Sequence, residues 1–149
     1  MQITIRPASL TDEELVLDLL EQLFDPPGGP PPDYTRERGS LGLRWAIEQD
    51  HADVLLAFDG ARLVGMASVY ADIESIRFGH RCWLQDLVVE KAVRSSGVGK
   101  TLLDAASAWA REHGCTHLEL ASGMGRTDAH RFYEREGMTG SMNYYKWLD

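Results

Sequence analysis

Two short stretches hold residues whose types and spacing suit chemistry. The first is VRSSGVGKT, Val93 to Thr101, where Gly97 and Gly99 stand one residue apart before a Lys100–Thr101 pair. Glycines let a backbone approach a ligand with no Cβ in the way. The free N–H groups of a helix start point outward, and the helix dipole favours negative charge. Such a turn suits an anion like a pyrophosphate, with Arg94 and Lys100 adding charge at the rim. The plain alternative is a glycine-rich helix cap without a ligand. The second stretch is CWLQDLVV, residues 82–89. Alternation there puts Asp86 and Val88 on one face and Leu87 and Val89 on the other. A carboxylate in a strand otherwise apolar at Leu84, Leu87, Val88 and Val89 is uncommon.

Two nucleotide motifs fail on the first stretch. The phosphate loop GxxxxGK[ST] needs a glycine where Arg94 stands, and the dinucleotide pattern GxGxxG needs one at Leu102.

These residues need elements to position them. Residues 2–6 alternate as QITIR, a strand that Pro7 ends. Thr11, with Glu14 three residues on, predicts a capping box opening a helix. DPPGGPPPD, residues 25–33, holds five of the six prolines and excludes regular structure. The segment before it is too short for a core of its own, so it reads as a loop bordering a site. A second helix is expected over 40–49. Residues 54–58 and 62–70 flank Asp59–Gly60, a hairpin signal. A strand over 82–89, an amphipathic helix over 97–112 stopped by Gly114, a strand over 117–121, a helix over 128–136 and a closing strand over 143–148 follow. The order β-α-α-β-β-β-α-β-α-β predicts a mixed α/β domain spanning residues 1–149, helices on both faces of one sheet.

Composition narrows the function. The 149 residues are 44% apolar and 26% charged, enough for a packed core. A net charge of −8 argues against nucleic-acid binding and fits cationic substrates better. Cys82 and Cys115 form no CxxC, and Gly114 interrupts His113 and His117, so no metal is expected. No stretch approaches the roughly 20 apolar residues of a membrane span, and the N-terminus lacks signal-peptide order. The expected setting is the cytoplasm, with neither nucleic acid nor membrane as partner.

Three stretches, LQDLVV, RSSGVG and AHRFYEREGM, in this order and spacing, resemble the GNAT acyltransferase superfamily over nearly the whole chain. The resemblance implies a GNAT fold whose mixed sheet splays between the fourth and fifth strands, with a bulge near Asp86 as the cause. It implies acetyl-CoA as co-substrate. The backbone of Leu87, Val88 and Val89 would pair with the pantetheine arm, and the Val88 amide would polarise the thioester carbonyl. The amides of Arg94, Ser95, Ser96, Gly97, Val98, Gly99 and Lys100, with Thr101 beside them, would hold the pyrophosphate. The activity implied is N-acetyl transfer to a primary amine of a small molecule. A protein or peptide acceptor and a coenzyme-binding module without turnover are the alternatives.

By the same resemblance Tyr133 matches the tyrosine that protonates the leaving thiolate; packing beside Phe132 is the other reading. Asp86 can take the amine proton directly or through water, fix the ammonium, or merely pair with Arg81 or Arg77. His130 is a further candidate base, or a helix-capping residue. The family often carries Asn where Arg126 stands, so either Arg126 reaches the coenzyme phosphates or that contact is lost. The acceptor site is expected between the Pro/Gly loop, the second helix and YADIESIRFGH, residues 70–80. Asp25, Asp33, Tyr34, Asp72 and Glu74 are candidates for an ammonium. Arg36, Arg38, Arg44, Arg77 and Arg81 are candidates for a substrate anion. The cofactor half looks most like the branch with aminoalkylphosphonate acetyltransferases, which implies an amine bearing a phosphonate or carboxylate. The aromatic end, Tyr144, Tyr145 and Trp147, fits either a homodimer contact or the core.

Overall fold

The computed structural model describes residues 1–148. Strand β1 (Ile3–Pro7) leads into a 3-10 turn (Leu10–Asp12) and helix α1 (Glu13–Leu20). The cap differs from the sequence expectation. Asp12, not Glu14, accepts from the Ser9 N–H at 2.8 Å, and Arg6 clamps the same carboxylate at 2.8 and 2.9 Å. Glu14 instead reaches outward to Arg36 at 3.1 Å. Helix α2 (Arg36–Glu48) begins four residues before expectation because Thr35 caps it, its hydroxyl accepting from the Arg38 N–H at 3.1 Å.

Strands β2 (Ala52–Asp59) and β3 (Arg62–Ser75) form the hairpin announced by Asp59–Gly60, with Gly60 at φ +60°. Strand β4 (Gly79–Val89) continues the meander, helix α3 (Val98–Glu112) crosses back, and β5 (His117–Glu119) pairs parallel to β4. Helix α4 (Thr127–Arg135) follows. The sheet order is β1-β2-β3-β4-β5, antiparallel except for the last pair.

Helices cover both faces. On one, Val16 and Leu19 of α1 and Leu43 and Ala46 of α2 pack on Val54, Leu56, Met66 and Val88. On the other, Leu102, Leu103, Ala106 and Trp109 of α3 pack on residues of β2–β4, among them Leu55, Val64, Val69, Cys82 and Leu84. Gly65 permits the close seat of α3: a Cβ there would lie 2.7 Å from Leu102 and 3.0 Å from Val98.

One expectation needs correction. Residues 143–148 form no strand, and Tyr144, Tyr145 and Trp147 are exposed rather than core. An aromatic alternation makes a strand only where a neighbouring edge supplies hydrogen bonds. Residues 70–80, expected to wall the acceptor site, form the far end of the β3–β4 hairpin. There Asp72 pairs with Arg81 at 2.7 Å, and Glu74 lies 3.5 Å from His80.

Candidate active site

β4 and β5 are paired over only three positions, Arg81 with His117, Cys82 with Leu118 and Trp83 with Glu119. Beyond them the chain leaves the sheet, which is why β5 stops at Glu119 and not at Ala121. The parting coincides with a bulge in β4. Ser68 faces Asp86 and Val69 faces Leu84, so Gln85 has no partner on β3. A bulged strand bends and twists away from its neighbour. It also resets the alternation: Leu84 and Leu87 pack toward α3, while Val88 packs toward α1 and α2.

The gap is a cleft of about 210 Å³. Leu84 to Leu87 of β4 form one wall and residues 120–123 the other; Tyr133, Ala129 and Arg126 of the α4 region and Leu23 complete it. On this side Leu87, Val88 and Val89 have no strand partner, their ladder partners Ala67, Met66 and Gly65 all lying on β3. A bare strand edge of this kind offers alternating N–H and C=O groups to an extended amide-bearing ligand.

The edge runs into the glycine turn. Gly97 caps α3 at φ +94°, a left-handed conformation that suits glycine, and no atom lies within 4 Å of where its Cβ would be. Ser95 is also left-handed at φ +66°. The Thr101 N–H is bonded to Gly97 O at 3.1 Å, which leaves the preceding amides of the helix start directed outward. Gly99 has a packing role as well, since its Cβ would come within 3.4 Å of Phe132. The polar side chains of the turn serve the turn. Arg94 Nε donates to Val89 O at 3.0 Å, Ser96 Oγ to Val93 O, and Thr101 Oγ1 to Gly97 O at 3.1 Å. Lys100, beside the turn, pairs with Glu136 at 2.9 Å and Asp104 at 3.3 Å.

Asp86 and Tyr133 face the same cleft. Asp86 pairs with neither Arg81 nor Arg77. Arg81 is held by Asp72 and Glu119, and Arg77 stacks on Phe78 at 4.5 Å. The partner of Asp86 is Ser68, and burial raises its carboxyl above the ordinary range against the opposing effect of that hydroxyl. Burial likewise raises the Tyr133 phenol, with Arg126 acting weakly the other way. His130 stands outside the cleft lining; its Nε2–H donates to Gly123 O at 2.9 Å and steadies the turn before α4.

The sequence left open whether Arg126 reaches the coenzyme phosphates. The Arg126 guanidinium donates to Leu23 O, in the 3-10 turn Glu21–Phe24, at 2.8 Å and lies against Gly28 of the Pro/Gly loop. Of the acceptor candidates, Asp25 pairs with Lys91 and Tyr34 donates to Glu21 at 3.0 Å. Arg36 contacts Glu14, Asp18 and Glu21, and Arg44 contacts Glu13. No signal in one sequence announces these pairings, because they join segments 13 to 103 residues apart.

Known proteins resemble this chain in sequence and in fold. An uncharacterized N-acetyltransferase, YhdJ of Bacillus subtilis, is 50% identical over 66 residues, covering 44% of this chain and 46% of that one. The aminoalkylphosphonate N-acetyltransferase of Salmonella typhimurium is 38% identical over 85 residues, 55% of this chain and 53% of that one. The match thus spans about half the length of each relative. Among solved structures, an aminoglycoside N-acetyltransferase in complex with CoA superposes with a TM-score of 0.83 at 18% identity, covering 99% of this chain and 95% of that one. Residues 15–138 match the family model for acetyltransferases of the GNAT type, and the chain belongs to that family.

Proposed function

We propose that this protein transfers the acetyl group of acetyl-CoA to the primary amine of a small molecule, by direct attack. One observation carries the reading: the unpartnered edge of Leu87–Val89 leads from a cleft holding Asp86 and Tyr133, by way of the short 3-10 turn Lys91–Val93, to the helix start at Gly97. A pantetheine arm needs such an edge, and a pyrophosphate needs such a turn. The CoA complex of the structural neighbour supports the same co-substrate.

The chemistry follows from the two side chains. An ammonium is no nucleophile, so Asp86 first removes a proton; its raised affinity for protons makes it a better base than a solvated carboxylate. The amine nitrogen then forms a bond to the thioester carbon. The Val88 N–H, expected to polarise that carbonyl, is turned into the ladder with Met66, two residues before the Glu90 N–H bond to Val64 O. The outward N–H groups of Leu87 and Val89 therefore offer the donors to the developing oxyanion. As the carbon–sulfur bond breaks, Tyr133 gives its proton to the departing thiolate. The phenolate recovers one from the new amide nitrogen, and Asp86 releases its own to solvent. Burial of Tyr133 keeps the phenol protonated well past neutral pH.

Thiol release from acetyl-CoA, measured over a panel of aminoalkylphosphonates, polyamines, aminoglycosides, amino acids and basic peptides, tests this. Turnover of a small amine supports it. Turnover of peptides alone moves the acceptor to proteins. Tight coenzyme binding without release from any amine identifies a binding module instead.

A further inference from the structure

Arg126 has an unusual electrostatic position. Other arginines around the helices and the hairpin end are neutralised: Arg36 lies within 3.1 Å of Glu14 and 3.0 Å of Asp18 and Glu21, Arg44 within 3.1 Å of Glu13, and Arg81 within 2.7 Å of Asp72. Arg126 lines the cleft with Asp86 and Tyr133 and, among the described residues, has no carboxylate partner. Its one protein acceptor is the Leu23 carbonyl at 2.8 Å. A guanidinium carries five donors in a rigid fork, so most of them remain for a ligand.

The fork is also held in place. A Cβ on Gly28 would sit 2.3 Å from the Arg126 terminal nitrogen and 2.2 Å from Leu23 O, so only a glycine lets the loop lie directly on the guanidinium. The Arg126 backbone is fixed at the start of α4, its N–H bonded to Gly123 O at 3.0 Å. The side chain is half-buried, and a partly desolvated cation gains most from an anion with matching geometry.

We propose that Arg126 is the anchor for an oxyanion on the acceptor, so that the preferred acceptor is an amine with a phosphonate or carboxylate a few bonds from its nitrogen. This rests on the acetyltransferase reading above. Asp86 takes the ammonium end and Arg126 the acidic end. Acetylation abolishes the positive charge of the first while leaving the second intact, so the product keeps one of its two contacts.

The test compares 2-aminoethylphosphonate, β-alanine and ethanolamine by thiol release, and by calorimetry on the coenzyme-loaded protein. Wild type is expected to favour the two acidic amines, and the stronger of these identifies the oxyanion. In Arg126→Gln that preference should shrink about 10- to 100-fold, the loss of charge-assisted bonds. Arg126→Lys should recover part of it, keeping the charge without the fork. No preference in wild type overturns the proposal, whatever the variants do. Equal losses for acidic and neutral amines show a structural strap only, and a fall in coenzyme affinity alone assigns Arg126 to the coenzyme. If no amine releases thiol, the acetyltransferase reading fails, while calorimetry still decides for or against an acid-selective site.

Discussion

Ser68 and Asp86 face one another across the β3–β4 ladder and are bonded twice: the Asp86 N–H donates to Ser68 Oγ at 3.0 Å, and the Ser68 hydroxyl donates to Asp86 Oδ2 at 3.2 Å. The pair fixes the carboxylate at the point where the strand is bulged. It supplies no cation, so the charged form of Asp86 is the costly one.

Asp86→Asn should therefore divide activity from stability. Turnover is expected to fall about 10²- to 10⁴-fold with the loss of the base. The sign of the stability effect follows from the raised affinity for protons: the cost of Asp86 is absent below the unfolded value, about 3.9, and appears as pH rises through the higher folded value. The variant should melt above wild type at pH 7 and lose that advantage as the pH falls below about 4. Scanning calorimetry across that range checks it; a variant less stable at neutral pH would show the carboxylate to be favourably held.

Tyr133→Phe should lower turnover about 100-fold while coenzyme affinity stays within about twofold. Because burial raises the phenol, the alkaline fall of the wild-type rate should lie above the ordinary tyrosine value of about 10, and the variant should lack that limb. Parallel losses in turnover and coenzyme affinity would make Tyr133 a packing residue.

Gly97→Ala puts a side chain on a residue at φ +94°. The backbone strain should cost about 1–3 kcal/mol of stability, read from urea midpoints. Isothermal titration should show CoA binding weakened at least tenfold, because relief of the strain turns the amides away. Unchanged affinity would dissociate the turn from the coenzyme.

Asp12→Asn addresses the entry to α1, where Arg6 and the Ser9 N–H both hold the carboxylate and set its proton affinity well below the usual range. A depressed value contributes stability above the unfolded value and loses it as pH falls toward the folded one. The variant should melt lower at pH 7, by about 1 kcal/mol from the weakened cap alone, with the gap closing below about pH 4. A pH-independent difference would point to packing.

Local chemistry was readable in the sequence; distant pairing was not. Asp59–Gly60 and the α3 stripe of Leu102, Ala106 and Trp109 declare themselves through turn type and period. The separation of β4 from β5 was expected from the family resemblance, down to a bulge beside Asp86. The end of β5 was placed two residues late because Leu120 and Ala121 read as strand, while geometry at the cleft removes their partner. NYYKWL misled for the reverse reason: strong strand formers without a neighbouring edge to join. Lys100 pairs with Glu136 and Asp104, and Arg126 donates to the Leu23 carbonyl. A single sequence does not announce these contacts, since the reach of a long side chain depends on which acceptors the fold brings near it.

Gln85 occupies one position more than β3 can answer. Its excision would leave Leu84 and Leu87 toward α3 and Val88 toward the opposite helices, as they are now. The core would notice nothing, yet the bend would relax and the parted strands would be free to zip shut. Deletion of Gln85 is thus expected to leave a folded protein whose cleft is closed, so that the opening of the cleft is separable from the ability to fold.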